Sequence, residues 1–203
     1  LEFRRVLFRS KAEKRSMDVK AKKLRREGFV TGNLFGREIE GSIPLKFTKK
    51  EIEVLLKNNN KGSQVMLELD GKTYDALIKE VDYNPLAHTV EEVDFQALVS
   101  NEMVHSTAEI ILENEEKVMS GVLQDELKEV AYKALPADLV DKIKVDVAGM
   151  KIGDTLRVKD LEIAKNKNIH ITTDPEAVVA TVTPVHNVVP ETETEAEETA
   201  EEK

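Results

Sequence analysis

Val65, Leu67 and Leu69 alternate with polar residues up to Asp70-Gly71, and Lys72 to Val81 resumes the pattern on the far side. Apolar-polar alternation on both sides of a two-residue Asp-Gly signal predicts a β-hairpin with a type I′ turn. Phe29 to Phe35 and Gly41 to Phe47 read as two further strands, connected through Gly36-Arg37-Glu38. The period then changes. Thr48 and Glu51 are spaced as a capping box, Phe47 and Ile52 as a hydrophobic staple, and Ile52, Leu55 and Leu56 form an i, i+3, i+4 stripe. This predicts a helix that ends at Asn58-Asn59-Asn60-Lys61-Gly62. Lys11 to Arg15 is a short entry strand, Asn84-Pro85 interrupts the hairpin, and Val90 to Leu98 adds a last strand. Short strands around one helix, without βαβ alternation, predict a small barrel rather than a doubly wound sheet.

A second set of strand patterns comes next. Met103 to Leu112 alternates, Glu113 to Lys117 is a charged turn, and Val118 to Leu135 carries more apolar residues without clean helical spacing. Leu135-Pro136-Ala137-Asp138 can begin a short helical turn, with Pro near its first position. Ile143, Val145 and Val147 alternate, Gly149 and Gly153-Asp154 bracket a turn before Leu156 and Val158, and Ala177 to Val185 closes the series. The predicted class is mainly β (α+β), with a small N-terminal β-barrel carrying one helix and then a second β-rich domain. The predicted boundaries are 11–98 for the barrel, 99–187 for the second domain and 188–203 for an acidic tail. That tail includes ETETEAEETAEEK from Glu191 onward, which has too little apolar content to offset its chain entropy and is expected to be disordered. Residues 1–10, LEFRRVLFRS, lack a starting Met and differ in composition from the rest of the chain, and are read as an assembly scar foreign to the fold.

Charge adds a feature that periodicity does not show. The 203-residue chain has a net charge of -9, yet Lys20, Lys22, Lys23, Arg25 and Arg26 place five cations within seven residues. Cations packed this densely repel one another, and a polyanion that exchanges condensed counterions for them relieves the repulsion in a salt-sensitive way. The same run is also compatible with a merely solvated basic loop. It leads directly into Phe29 to Phe35, so it is anchored at one end. Ser16 to Arg26 has no repeating apolar face and is expected to be a flexible arm in the free protein.

Other chemistry has little to build on. The chain has no Cys, which excludes disulfides and thiolate metal sites and fits a reducing compartment. His88, His105, His170 and His186 lack the partner spacing of a metal site. There is no GxxxxGK[ST], GxGxxG or GxSxG segment, and neighbouring carboxylates such as Glu91, Glu92 and Asp94 are expected by chance in a chain that is 34% charged. No run approaches the ~18 apolar residues of a membrane span. The expectation is a soluble, cytoplasmic protein that is not an enzyme, with no cofactor, no metal, no small-molecule substrate and no membrane partner.

Lys11-Ala12-Glu13-Lys14-Arg15, Lys23 to Phe29, Asp70-Gly71-Lys72, Val93-Asp94-Phe95, Gly121 to Gln124, Ala134-Leu135-Pro136-Ala137-Asp138 and Val147 to Asp154, in this order, resemble the bacterial large-subunit ribosomal protein L-twenty-five family. The similarity is to its long two-domain form, also called general stress protein Ctc, and runs from Lys11 to Val185. It implies a barrel that binds 5S ribosomal RNA and a second domain that faces other large-subunit components. It further implies RNA contacts at Arg15, Lys20, Lys22, Lys23, Arg25 and Arg26, with Phe35 standing where the family has a tyrosine and Asp94 keeping its place in the last barrel strand. The chain departs from the family pattern in an arm about two residues shorter, Thr31 for a proline, Glu92 for a histidine and Asp82-Tyr83 for a Gln-Arg pair. These departures leave open a second reading, a divergent paralogue that retains the fold and acts as an interaction or stress protein.

Overall fold

The computed structural model describes residues 8–118 and 121–184; the acidic tail and His186 lie outside them. The first half comprises β1 (Phe8–Lys14), α1 (Ala21–Arg26), β2 (Phe29–Phe35), β3 (Ser42–Thr48), α2 (Lys49–Asn58), β4 (Gln64–Leu69), β5 (Lys72–Asn84) and β6 (Thr89–Ala97). These six strands close a barrel in the order β1-β3-β2-β6-β5-β4.

Closure depends on β1, which pairs antiparallel with β3 and parallel with β4. The parallel register runs from Phe8↔Val65 to Ala12↔Leu69. Phe8, Arg9 and Ser10 are therefore part of the fold, contrary to the reading of residues 1–10 as foreign to it. Ser10 is buried and Phe8 packs against the barrel core. Without these residues much of the β4 edge would be left unpaired.

The local signals hold where chemistry alone fixes them. Asp70 and Gly71 both have positive φ, 50° and 78°, as a type I′ turn requires. The Thr48 hydroxyl accepts from the Glu51 amide at 3.3 Å, and the Glu51 carboxylate accepts from the Thr48 amide at 3.1 Å, completing the capping box. Inside the barrel Leu34, Leu45, Phe47, Ile52, Leu55, Leu67, Ile78 and Phe95 are fully buried, and the Phe47 and Phe95 rings lie 5.5 Å apart.

The second half contains β7 (Val104–Glu113), β8 (Val122–Asp125), β9 (Glu129–Ala134), β10 (Lys142–Asp146), β11 (Thr155–Arg157), β12 (His170–Ile171) and β13 (Val178–Thr183). They form two sheets, β10-β7-β9-β12 and β11-β13-β8, around a separate core that includes Tyr132, Leu139, Val158, Leu161 and Val179. The Tyr132 hydroxyl donates to the Val140 carbonyl and accepts from the Val140 amide, each at 2.8 Å, so the buried phenol is satisfied.

The two halves meet at Gly62. Its φ is +87°, and a Cβ there would lie 1.9 Å from the Thr107 carbonyl oxygen. The Ser106 hydroxyl donates to the Gly62 carbonyl at 3.4 Å, and the Asn60 side-chain amide donates to the Glu109 carboxylate at 2.6 Å.

Two substitutions test this account. Thr48→Ala removes one half of the capping box and costs about 1 kcal/mol in urea denaturation. Gly62→Ala meets both the positive φ and the Thr107 backbone and costs at least about 2 kcal/mol; an effect as small as that of a surface substitution would contradict the close approach.

Candidate nucleic-acid interface

Part of the stretch 16–26, expected to be a flexible arm without regular structure, is helical. Ala21–Arg26 form one and a half turns of helix whose apolar anchor is Leu24, 7% exposed. Leu24 belongs to neither of the two large cores and instead fastens α1 over β2. On the outer face of β2, Thr31 is fully buried and its hydroxyl donates to the Glu91 carbonyl at 3.3 Å.

Arg25 fixes the same helix electrostatically. Its Nη1 lies 2.8 Å from the Glu91 carboxylate, its Nη2 lies 3.4 Å from the Glu92 carboxylate, and its Nε donates to the Glu91 carbonyl at 3.3 Å. The side chain is about one-third exposed. A guanidinium fork shared by two carboxylates is pre-organised and is not a free cation. Arg15 is likewise engaged, its Nη2 donating to the Val19 carbonyl at 3.1 Å across the loop that leads into α1. Its Nε is buried without a partner among the described residues.

The remaining basic residues differ from these two. Lys20, Lys22, Lys23 and Arg26 are exposed, and among the described residues only Lys23 has an ion pair, a loose 3.9 Å contact with Glu27. The implied set therefore divides into Arg15 and Arg25, which hold the arm in shape, and Lys20, Lys22, Lys23 and Arg26, which present charge to solvent.

The outer faces of β2 and β6 continue the surface. Their parallel register pairs Thr31 with Glu92, Asn33 with Asp94 and Phe35 with Gln96. Asn33 donates to Asp94 Oδ1 through both its backbone amide and its side chain, each at 3.1 Å, and to Glu92 at 3.3 Å. Asp94 thus ties the two strands together through one oxygen. Phe35, partly buried, lies four residues beyond Thr31, or about 13 Å along the strand. Asp82 stands opposite Glu92 on β5, and Asn84 donates to Glu91 at 2.7 Å. The surface is thus a strip with free cations at the α1 end, carboxylates in the middle and an aromatic ring at the far end.

Sequence reading missed Asn33 and Asn84 and gave no weight to Glu91. Their partners lie far away in sequence or across a hairpin, and spacing along the chain signals neither. Among the described residues no cluster of three or more His, Asp or Glu could hold a metal ion, and no helix is long and apolar enough to cross a membrane.

The sequence of both halves matches ribosomal protein families. The Ribosomal L25p family model matches residues 11–95, and that of the Ribosomal protein TL5, C-terminal domain, matches residues 103–186. The large ribosomal subunit protein bL25 of Carboxydothermus hydrogenoformans is 32% identical over 190 residues, covering 89% of this chain and 94% of that protein. Its counterpart in Moorella thermoacetica is 31% identical over 185 residues, covering 88% and 86%. The chain belongs to the bL25 family, in its long two-domain form.

In the free protein Arg25→Ala leaves Glu91 and Glu92 without their shared cation. We expect it to cost about 1 kcal/mol in urea denaturation at low salt, and less at high salt, given the partial exposure of the pair. Lys22→Ala stays within about 0.5 kcal/mol of the parent. Equal effects of the two would contradict the division of the basic set.

Proposed function

We propose that the protein is a structural, non-catalytic constituent of the large ribosomal subunit in the cytoplasm, and that its barrel binds 5S rRNA along the strip from α1 to Phe35. The observation that supports this most strongly is a group of cations without an ion pair among the described residues, Lys20, Lys22 and Arg26, held on or beside an ordered helix in a chain of net charge -9. An A-form RNA helix exposes phosphates and 2′-hydroxyls across a wide, shallow minor groove, which a convex barrel face can follow by shape. In this reading the α1 cations meet phosphates. Asp94 Oδ2, unused by Asn33, accepts from a ribose 2′-hydroxyl, and Phe35 supplies apolar contact at the far end. Membership of the bL25 family, whose named relatives are large-subunit proteins, supports the same reading.

A gel shift with purified 5S rRNA across several salt concentrations tests it. The log–log slope should be about -0.7 to -0.9 per phosphate contact, and Lys22→Ala with Arg26→Ala should lower its magnitude by about two contacts. Salt-independent binding, or an unchanged slope in the double variant, would contradict it.

One observation favours the second reading, a paralogue that acts as an interaction or stress protein. Glu91 and Glu92 already occupy Arg25, and Asp82 adds a third carboxylate on the same strip. On that reading the parent chain does not shift 5S rRNA, and Asp82→Gln with Glu92→His creates an affinity the parent lacks. A parent that binds in the first lane rejects it.

A further inference from the structure

A cleft of about 280 Å³ opens between the barrel and the second domain, lined by residues that include Lys61, Gly62, Lys79, Glu80, His105 and Thr107. Lys79 reaches it through a β-bulge. On β5, Ile78 pairs with Phe95 and Glu80 with Asp94, so Lys79 is an extra residue opposite no partner on β6. Bulges of this kind re-aim a side chain out of the alternating pattern. Here the Lys79 ammonium crosses to the second domain and donates to the His105 carbonyl at 2.8 Å, its one hydrogen-bond acceptor among the described residues.

That acceptor is neutral, and the surroundings are unfavourable to the charge. Burial and the neighbouring Lys61 ammonium both push the Lys79 pKa below its ordinary value. Lys61 itself has a 3.7 Å contact with Glu129, and Glu80 is exposed. Two ammonium heads therefore share one open cleft with two carboxylates, Glu80 in its lining and Glu129 beside Lys61, and among the described residues neither carboxylate is hydrogen-bonded to Lys79. Side chains held this way gain most from a compact anion with several acceptor oxygens, each ammonium acting as a point charge with three donors.

We propose that this interdomain cleft is a phosphate-binding site, with Lys61 and Lys79 as its ligands and Gly62 permitting the close approach of the two domains that forms it. On the function proposed above, the phosphate belongs to an RNA backbone seated at the junction of the domains; the site itself does not depend on that reading. Inorganic phosphate fits better than a carboxylate, since it presents four oxygens in a tetrahedron rather than two in one plane; a backbone phosphodiester would meet the ammoniums with its two non-bridging oxygens.

The test uses the full-length chain labelled with ¹⁵N. Inorganic phosphate is titrated at fixed ionic strength, with acetate as a parallel titrant. Saturable shifts of the Gly62, Lys79, His105 and Thr107 amides are expected with phosphate, weakened at least about tenfold in Lys79→Gln and in Lys61→Gln. Non-saturating shifts, an equal response to acetate, or an unchanged midpoint in both variants would overturn the proposal. Repeating the titration with the chain saturated by 5S rRNA identifies the source. Loss of the phosphate response means that an RNA phosphate fills the cleft, and persistence means that the site takes free phosphate; both support the site. If 5S rRNA does not bind, the function proposed above fails while the phosphate titration still decides this one.

Discussion

The seating of α1 on the barrel is the constraint from which the candidate interface arises. Six residues of helix are too few to be stable alone, since nucleation is costly and tertiary packing must supply the stability. Leu24 supplies it by burial, and Arg25 by bridging to Glu91 and Glu92. The price of that anchorage is one cation, because Arg25 is neutralised by the carboxylates that hold it. What remains is a helix that carries Lys22, Lys23 and Arg26, with Lys20 at its N-cap, on a backbone whose ordering has been met by folding rather than by binding.

The same seating depends on strand order. β2 and β6 run parallel and adjacent, which brings the start of β6, with Glu91 and Glu92, beside the end of α1. Parallel neighbours need a long connection, and α2 with the β4–β5 hairpin lies within it. The barrel closes only when β1 joins β3 to β4, so the segment that begins at Phe8 and the segment that carries the cations are mechanically linked through β3. The second domain continues this rigidity, since Gly62 admits Thr107 at a distance that no side chain would allow.

Much of the fold was legible because its signals are local. The Asp70-Gly71 turn and the Thr48–Glu51 box each involve residues no more than three apart, and the alternation of β4 needs only its own six residues. The short β12, two residues long, pairs with β9 and carries no pattern of its own. The helical state of residues 21–26 was hidden for a physical reason: a single leucine gives no periodicity, and the partners of Arg25 lie sixty-six and sixty-seven residues away. Of the candidate site, the run of cations was visible in sequence, but not which of them are free. Phe8 to Ser10 were misjudged because composition says nothing about backbone pairing, which is all that β1 needs in order to close the barrel. Lys61 and Lys79 were invisible as a pair, since only a bulge and a domain junction bring them together.

Whether α1 meets its partner already folded is decided by Leu24→Ala, because Leu24 lies outside both large cores. On the proposed function, the barrel should remain folded and the salt slope of 5S rRNA binding should be unchanged, since the same phosphates would be met. Affinity at every salt concentration should fall by at least about tenfold, the cost of ordering a loosened arm. An affinity equal to that of the parent would show that the packing of this helix has no part in recognition.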